Sequence, residues 1–135
     1  MVRIGVIGCG KIAQIRHLPE YAGNKDCKIV GVYDLNFERA AEIASQYDAT
    51  AYSSVEELLA DQQIDAVSIC VANNAHAEIS VQALNSGKHV LCEKPMATTL
   101  EDCEKMVEAA SENGKFLMIG QNQRLAKAHV KAKQL

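Results

Sequence analysis

The 135-residue sequence lacks several things at once, and each gap removes a class of function. There is no basic surplus: 14 lysines and arginines against 17 acidic residues give a net charge of -3, where a nucleic-acid binder would carry a positive excess. No apolar run approaches the roughly 20 residues that a membrane span needs. Met1 leads straight into an apolar strand without a leader-like segment, so the expected compartment is the cytoplasm. The five cysteines (Cys9, Cys27, Cys70, Cys92 and Cys103) are odd in number and scattered. They show no C-x-x-C spacing and no histidine at ligand spacing, so free thiols are expected rather than a disulfide framework or a metal site. Internal repeats and low-complexity tracts are also missing. What is present is an ordinary balance, 48% apolar and 23% charged, in a chain of single-domain size.

The strongest local signal lies at the start. Val2, Ile4, Val6 and Ile7 read as a buried strand that stops at Gly8-Cys9-Gly10 and restarts as a helix at Lys11-Ile12-Ala13. Gly8 allows a tight turn, Gly10 has no side chain to hold a pyrophosphate away, and Ala13 is small enough for the helix to lie close on the strand. This is the G-x-G-x-x-A form of the dinucleotide-binding turn. The diphosphate would rest on the main chain of Gly8, Cys9, Gly10, Lys11 and Ile12, where unpaired N–H groups and the positive helix end favour an anion. The next apolar run, Lys28 to Tyr33, ends in Asp34, about twenty residues past the glycines, where an acid that holds the ribose hydroxyls belongs. The plainer alternative is an ordinary strand-to-helix turn, with Asp34 capping the helix that follows. Cys9 also has two readings: a thiol whose pKa is lowered by the helix N-terminus, or a small residue tolerated between two glycines. Asp34 favours NAD, since a carboxylate repels a 2'-phosphate; Arg39, five residues on, could reach such a phosphate and leaves NADP open.

Further along, the periodicity predicts a helix over 11–21, closed by Pro19 and Gly23-Asn24, and a second over 36–47. A short strand at 50–52 precedes a helix capped by Ser53 with Glu56. Strand 66–71 is followed by the polar loop Ala72-Asn73-Asn74-Ala75-His76, a helix over 77–85 and a strand over 89–92. Thr98 with Glu101 marks another capping box, with its helix running to Glu112, and 116–119 is the last strand. Cys70 and Cys92 fall within strands and are expected in the core. Six strands alternating with five helices predict a Rossmann-type, doubly wound α/β fold, its sheet mostly parallel, with helices on both faces. Such a fold binds ligands at the C-terminal strand ends, and Gly8–Gly10, Asp34, Asn73–His76 and Glu93–Pro95 all lie there. Residues 1–120 form this unit. The segment 121–135 has no acid and carries Arg124, Lys127, Lys131 and Lys133, a solvated helical face rather than a nucleic-acid or membrane tail.

With the glycine turn before it, Gly87-Lys88-His89-Val90-Leu91-Cys92-Glu93-Lys94-Pro95-Met96-Ala97 closely resembles the N-terminal domain of the Gfo/Idh/MocA oxidoreductases (glucose-fructose oxidoreductase, inositol dehydrogenase and MocA). The resemblance covers about residues 2 to 125 and implies NAD(P) as cofactor and a secondary alcohol of a sugar, inositol or related polyol as substrate. It assigns proton transfer at the substrate hydroxyl to Lys94 as the catalytic residue, and placement of the nicotinamide end to Glu93. A base or cation near the hydroxyl is what hydride loss from a carbinol carbon requires; the bland alternative for Lys94 is a solvated loop lysine. The loop after the fourth strand resembles the family's Thr-Pro-Asn-x-x-His: Asn73 and His76 match, while Val71 and Ala72 replace threonine and proline. Ala72, Asn73 and His76 are therefore candidate cofactor contacts, with His76 equally readable as a helix-start residue bonded to the main chain. The family carries a second, substrate-lining domain. On this reading residues 121–135 lead toward a domain absent here, and the chain alone binds cofactor without full turnover. Its newly bared surface would favour homo-oligomers. Two other functions fit less well: a non-catalytic dinucleotide-binding module or redox sensor, and an S-adenosylmethionine-dependent transferase, which has no use for the Lys94-Pro95 pair.

Overall fold

The computed structural model describes residues 1–134, so Leu135, the end of the basic segment, lies outside the described residues. Six strands form one sheet: β1 (Val2–Ile7), β2 (Cys27–Tyr33), β3 (Thr50–Ala51), β4 (Ala66–Ile69), β5 (His89–Cys92) and β6 (Leu117–Ile119). All are parallel, in the order β3-β2-β1-β4-β5-β6. The order reverses between β1 and β4, the switch point at which this fold class opens its ligand crevice.

Alternation along the strands builds a separate core on each face. On β1, Ile4 and Val6 join Ala13, Leu18, Ile29, Val32, Ala40 and Ile43, while Ile7 joins Leu58, Val67, Ile69, Leu84, Val90 and Met106. The first core is covered by α1 (Leu18–Ala22) and α2 (Phe37–Tyr47), the second by α3 (Val55–Ala60), α4 (His76–Asn85) and α5 (Leu100–Glu112). Cys92, in β5, and Cys70, one residue past the end of β4, are both buried, as expected. A last helix, α6 (Lys127–Lys133), is exposed along its length.

Several local expectations need correction. Pro19 does not end the first helix, which runs over 11–22; its middle, Ala13–His17, widens into a π-helical turn whose closing bond runs from Leu18 N–H to the Ala13 carbonyl. Proline has no N–H to return to the carbonyl four residues back, and a widened turn is one way a helix accommodates that loss. Both predicted capping boxes lie one residue downstream. Ser54 accepts the Glu57 N–H at 3.1 Å and Glu57 answers on the Ser53 N–H at 3.0 Å, while Thr99 accepts the Asp102 N–H at 3.1 Å. Strand β4 ends at Ile69 rather than Val71, β6 starts at Leu117, and a 3-10 turn (Asn73–Ala75) leads into α4. Lys88, in the Gly-Lys-His-Val element, is a structural residue. It is buried, and its ammonium donates to the Asp61 and Ile64 carbonyls at 2.6 and 2.8 Å. Burial holds its pKa below the usual lysine value. Phe116, Met118 and Leu125 are exposed apolar side chains around β6 and the turn that follows it.

Candidate functional site: the C-terminal edge of the sheet

The glycine turn leaves β1 with Gly8 at φ +93°, its N–H donating to the Tyr33 carbonyl at 2.8 Å. A Cβ on Gly8 would lie 2.6 Å from the Cys70 carbonyl oxygen, so the turn passes directly against the end of β4. Gly10 is the opposite case: a Cβ there would meet nothing within 4 Å. The helix begins at residue 11, and its first N–H groups have no carbonyl one turn earlier to accept them. An open main-chain surface at a helix N-terminus is what a diphosphate fits. Lys11 and Ile12 sit exposed beside it.

Asp34, at the end of β2, faces this turn. Its Oδ2 accepts the Cys9 N–H at 2.8 Å and its Oδ1 the Asn36 N–H at 2.8 Å, and Arg39 Nη1 approaches both oxygens at 3.3 and 3.4 Å. Asp34 therefore does not cap α2; Asn36 does, accepting the Arg39 N–H at 3.2 Å. The acid instead ties the end of β2 to the glycine turn and presents a carboxylate beside it. The Cys9 N–H is engaged by Asp34, and the Cys9 thiol turns inward, fully buried, toward the Tyr33 carbonyl at 3.6 Å. Burial, reinforced by the Asp34 charge, pushes the thiol up to about 12, so Cys9 is not an activated thiol.

On the other side of the switch point, β5 delivers Glu93-Lys94-Pro95, with the Lys94-Pro95 bond cis. Lys94 is exposed, and its ammonium makes no ion pair or hydrogen bond among the described residues. Glu93 is largely buried. Its Oε2 accepts the Lys94 N–H at 3.2 Å, and its Oε1 lies 2.7 Å from Nε2 of His17, the residue that closes the π-helical turn. The other imidazole nitrogen, Nδ1, is 2.8 Å from the Ser68 hydroxyl, inside β4 and fully buried. His17 and Glu93 line a cavity of about 710 Å³ together with Ile12, Arg16, Tyr21 and Leu91.

The β4 loop is held from behind. His76 opens α4 with its ring buried; Nδ1 lies 2.6 Å from the Pro95 carbonyl and Nε2 3.1 Å from the Val71 carbonyl. Both ring nitrogens are thus turned to main chain. His76 couples the loop after β4 to the loop after β5 rather than offering a polar atom to the crevice. Ala72 and Asn73 are exposed at the loop tip. The sequence reading gave His17 and Ser68 no role. The available signal was one hydroxyl in the strand Ala66-Val67-Ser68-Ile69, a polar residue that burial obliges to find a partner. Among the described residues no group of three or more His, Cys, Asp or Glu side chains is arranged to hold a metal ion, and no helix is long and apolar enough to cross a membrane.

Comparison with known proteins gives the family of the chain. The profile of an oxidoreductase family with an NAD-binding Rossmann fold, GFO_IDH_MocA, matches residues 2–121. The chain is 35% identical over 138 residues to an inositol 2-dehydrogenase of Salmonella paratyphi B, an alignment covering 99% of this chain and 41% of that protein. It is 40% identical over 119 residues to a scyllo-inositol 2-dehydrogenase (NADP(+)) of Bacillus subtilis, covering 87% of this chain and 36% of that one. Among solved structures, biliverdin reductase from Synechocystis, in complex with biliverdin and NADP+, matches with a TM-score of 0.89 at 31% identity over 98% of this chain and 42% of that one. The chain therefore spans about two fifths of the length of these relatives.

Proposed function

Because this chain belongs to the Gfo/Idh/MocA oxidoreductase family and is an NAD(P)-binding Rossmann domain of that family, we propose that it is the cofactor-binding part of a dehydrogenase acting on a secondary alcohol of an inositol, sugar or related polyol. The observation that carries the reading is the placement of three groups around the switch point. Gly10 offers open main chain at a helix start, Asp34 lies on one side, and Glu93-Lys94-Pro95 on the other. An acid beside the glycine turn suits the adenosine ribose. By the two-halves logic of this fold, the ends of β4 and β5 then serve the nicotinamide half. The S-adenosylmethionine alternative falls with the family assignment.

In this reading the diphosphate lies on Gly8, Cys9, Gly10, Lys11 and Ile12, the adenosine ribose on Asp34, and the nicotinamide half near Ala72, Asn73 and Glu93. The bound nicotinamide supplies the hydride acceptor. Of the chain's own groups, Lys94 Nζ in its uncharged amine form takes the hydroxyl proton, and Glu93 orders the segment that carries Lys94. The inositol dehydrogenases among the relatives support a polyol as substrate.

Cofactor choice is the part of this proposal that a single substitution reads. Asp34→Ser removes the charge that repels a 2'-phosphate and frees Arg39 from its ion pair. Calorimetry on the unaltered chain is expected to show tighter binding of NADH than NADPH. The substitution should weaken NADH about tenfold, the order expected for losing a charged hydrogen bond, and strengthen NADPH. Unchanged relative affinities for the two would count against Asp34 as the ribose ligand, and no binding of either would remove the proposal itself.

A further inference from the structure

Resting on the reading above, we propose that His17 is a positioning residue: it clamps the Glu93 carboxylate and thereby sets the course of the Lys94 main chain at the nicotinamide end of the crevice. Chemistry fixes the direction of each bond. A carboxylate can only accept, so the ring proton sits on Nε2 and is donated to Glu93 Oε1 at 2.7 Å. In the neutral ring Nδ1 is then left as an acceptor, and the Ser68 hydroxyl 2.8 Å away can donate to it. A hydroxyl donates or accepts as needed, so Ser68 accommodates the ring orientation that Glu93 fixes. With Oε1 occupied, the carboxylate has one orientation, and in it Oε2 accepts the Lys94 N–H at 3.2 Å.

This chain of bonds ties the π-helical turn to two neighbouring strands of the sheet, at the middle of β4 and the end of β5. The widened turn matters, because π turns shift the register of the residues after them and are frequent at functional sites. The residues that flank Ser68 on its own face of β4, Ala66 and Cys70, pack into the apolar core there, so the hydroxyl stands among apolar and thiol groups. A buried polar chain is costly unless every member is satisfied, and its last member faces the cavity beside the site.

The clamp separates from a merely structural role by which nitrogen is kept. His17→Gln places an amide N–H where Nε2 stood, within reach of Glu93; His17→Asn places its amide nearer to Nδ1, within reach of Ser68 alone. Two ligands are titrated into the full chain and both variants: NADH, followed by the fluorescence of its nicotinamide ring, and ADP-ribose, which lacks that ring. The clamp requires His17→Gln to bind NADH within about twofold of the parent and His17→Asn to bind it about tenfold more weakly with loss of the nicotinamide emission change, a difference of one hydrogen bond to a charged group. Both variants should bind ADP-ribose as the parent does. Equal NADH affinity in the two variants, or loss of ADP-ribose in step with NADH, overturns the clamp while leaving the cofactor reading intact. A parent chain that binds neither ligand overturns both.

Discussion

Gly8→Ala is expected to lower the melting temperature by about 15 °C and to abolish NADH binding, whereas Gly10→Ala melts with the parent and loses only the binding. The scale follows from a destabilisation of about 4 kcal/mol, since each kcal/mol moves a domain of this size by a few degrees. Gly8 sits at φ +93°, where an L side chain is strained whatever the space around it; that alone costs roughly 1–2 kcal/mol. The added methyl would also stand 2.6 Å from the Cys70 oxygen, 2.7 Å from its carbonyl carbon and 3.0 Å from the Val71 nitrogen. These are backbone atoms and cannot rotate aside. Relief comes only by moving the end of β4, which breaks the 2.8 Å bond from Cys70 N–H to the Ile7 carbonyl, or by moving the turn, which breaks the one from Gly8 N–H to Tyr33. Gly10 has neither constraint: its φ is not positive and its Cβ direction is open. A methyl there meets nothing until a diphosphate arrives. Thermal melts and NADH titrations on both variants read the two glycines as different devices, one for the fold and one for the ligand. A Gly8→Ala chain that melts like the parent would show that the contact with β4 is not confining.

How far such features can be seen in advance depends on whether the partners are near in sequence. The glycine turn, Asp34 and the strand before each are local patterns, and the parallel sheet follows from them because consecutive strands joined by helices have few ways to pack. Even local reading slipped by a residue where the chain repeats itself. Ser53-Ser54 before Glu56-Glu57, and Thr98-Thr99 before Glu101-Asp102, each offer two capping registers. The choice falls to the inward face: starting α3 at Val55 buries Val55, Leu58 and Leu59 together, and the cap follows the core. His17 was out of reach for another reason. Its partners lie 51 and 76 residues away, and a lone histidine in a helix carries no mark of what it will meet. His76 could be read two ways, and only the approach of the Pro95 carbonyl, nineteen residues on, turns its ring toward the main chain. Cys9 shows the same limit. Position at a helix start argues for an acidic thiol, but the side chain of the middle residue in the turn points into the core, where desolvation outweighs the helix end.

That inversion at Cys9 has company, and together the buried thiols should make the fold sensitive to alkali. Burial pushes Cys9 and Cys70 up to about 12 and Cys92 to about 11, from an ordinary value of 9.0, with Asp34 adding to the first and Glu93 to the other two. All three are acids whose folded pKa is raised. Their protonated state is therefore favoured by folding, and that contribution is fully present below pH 9. Above it, the unfolded chain releases three protons that the folded chain still holds, so each unit of pH favours unfolding. One proton held in this way is worth about 1.4 kcal/mol per pH unit, and the three together about 4, as an upper bound. Lys88 opposes them, because its lowered pKa means that the folded state sheds its proton first, but it is one group against three. Tyr52, also raised to about 12, sides with the thiols. Against a total stability of about 5–15 kcal/mol for a domain, unfolding is expected within two to three pH units above 9. Urea melts under reducing conditions at half-unit steps from pH 8 to 11 should show the midpoint holding to about 9 and then falling. Cys92→Ala provides the sharper reading. It starts less stable by about 1 kcal/mol, as core truncations do, but sheds one of the three linked protons, so its curve should be shallower and meet that of the parent about one pH unit above 9. Parallel curves for the two chains would mean that the Cys92 thiol ionises alike in folded and unfolded states, and that its burial beside the Glu93 main chain does not hold the proton.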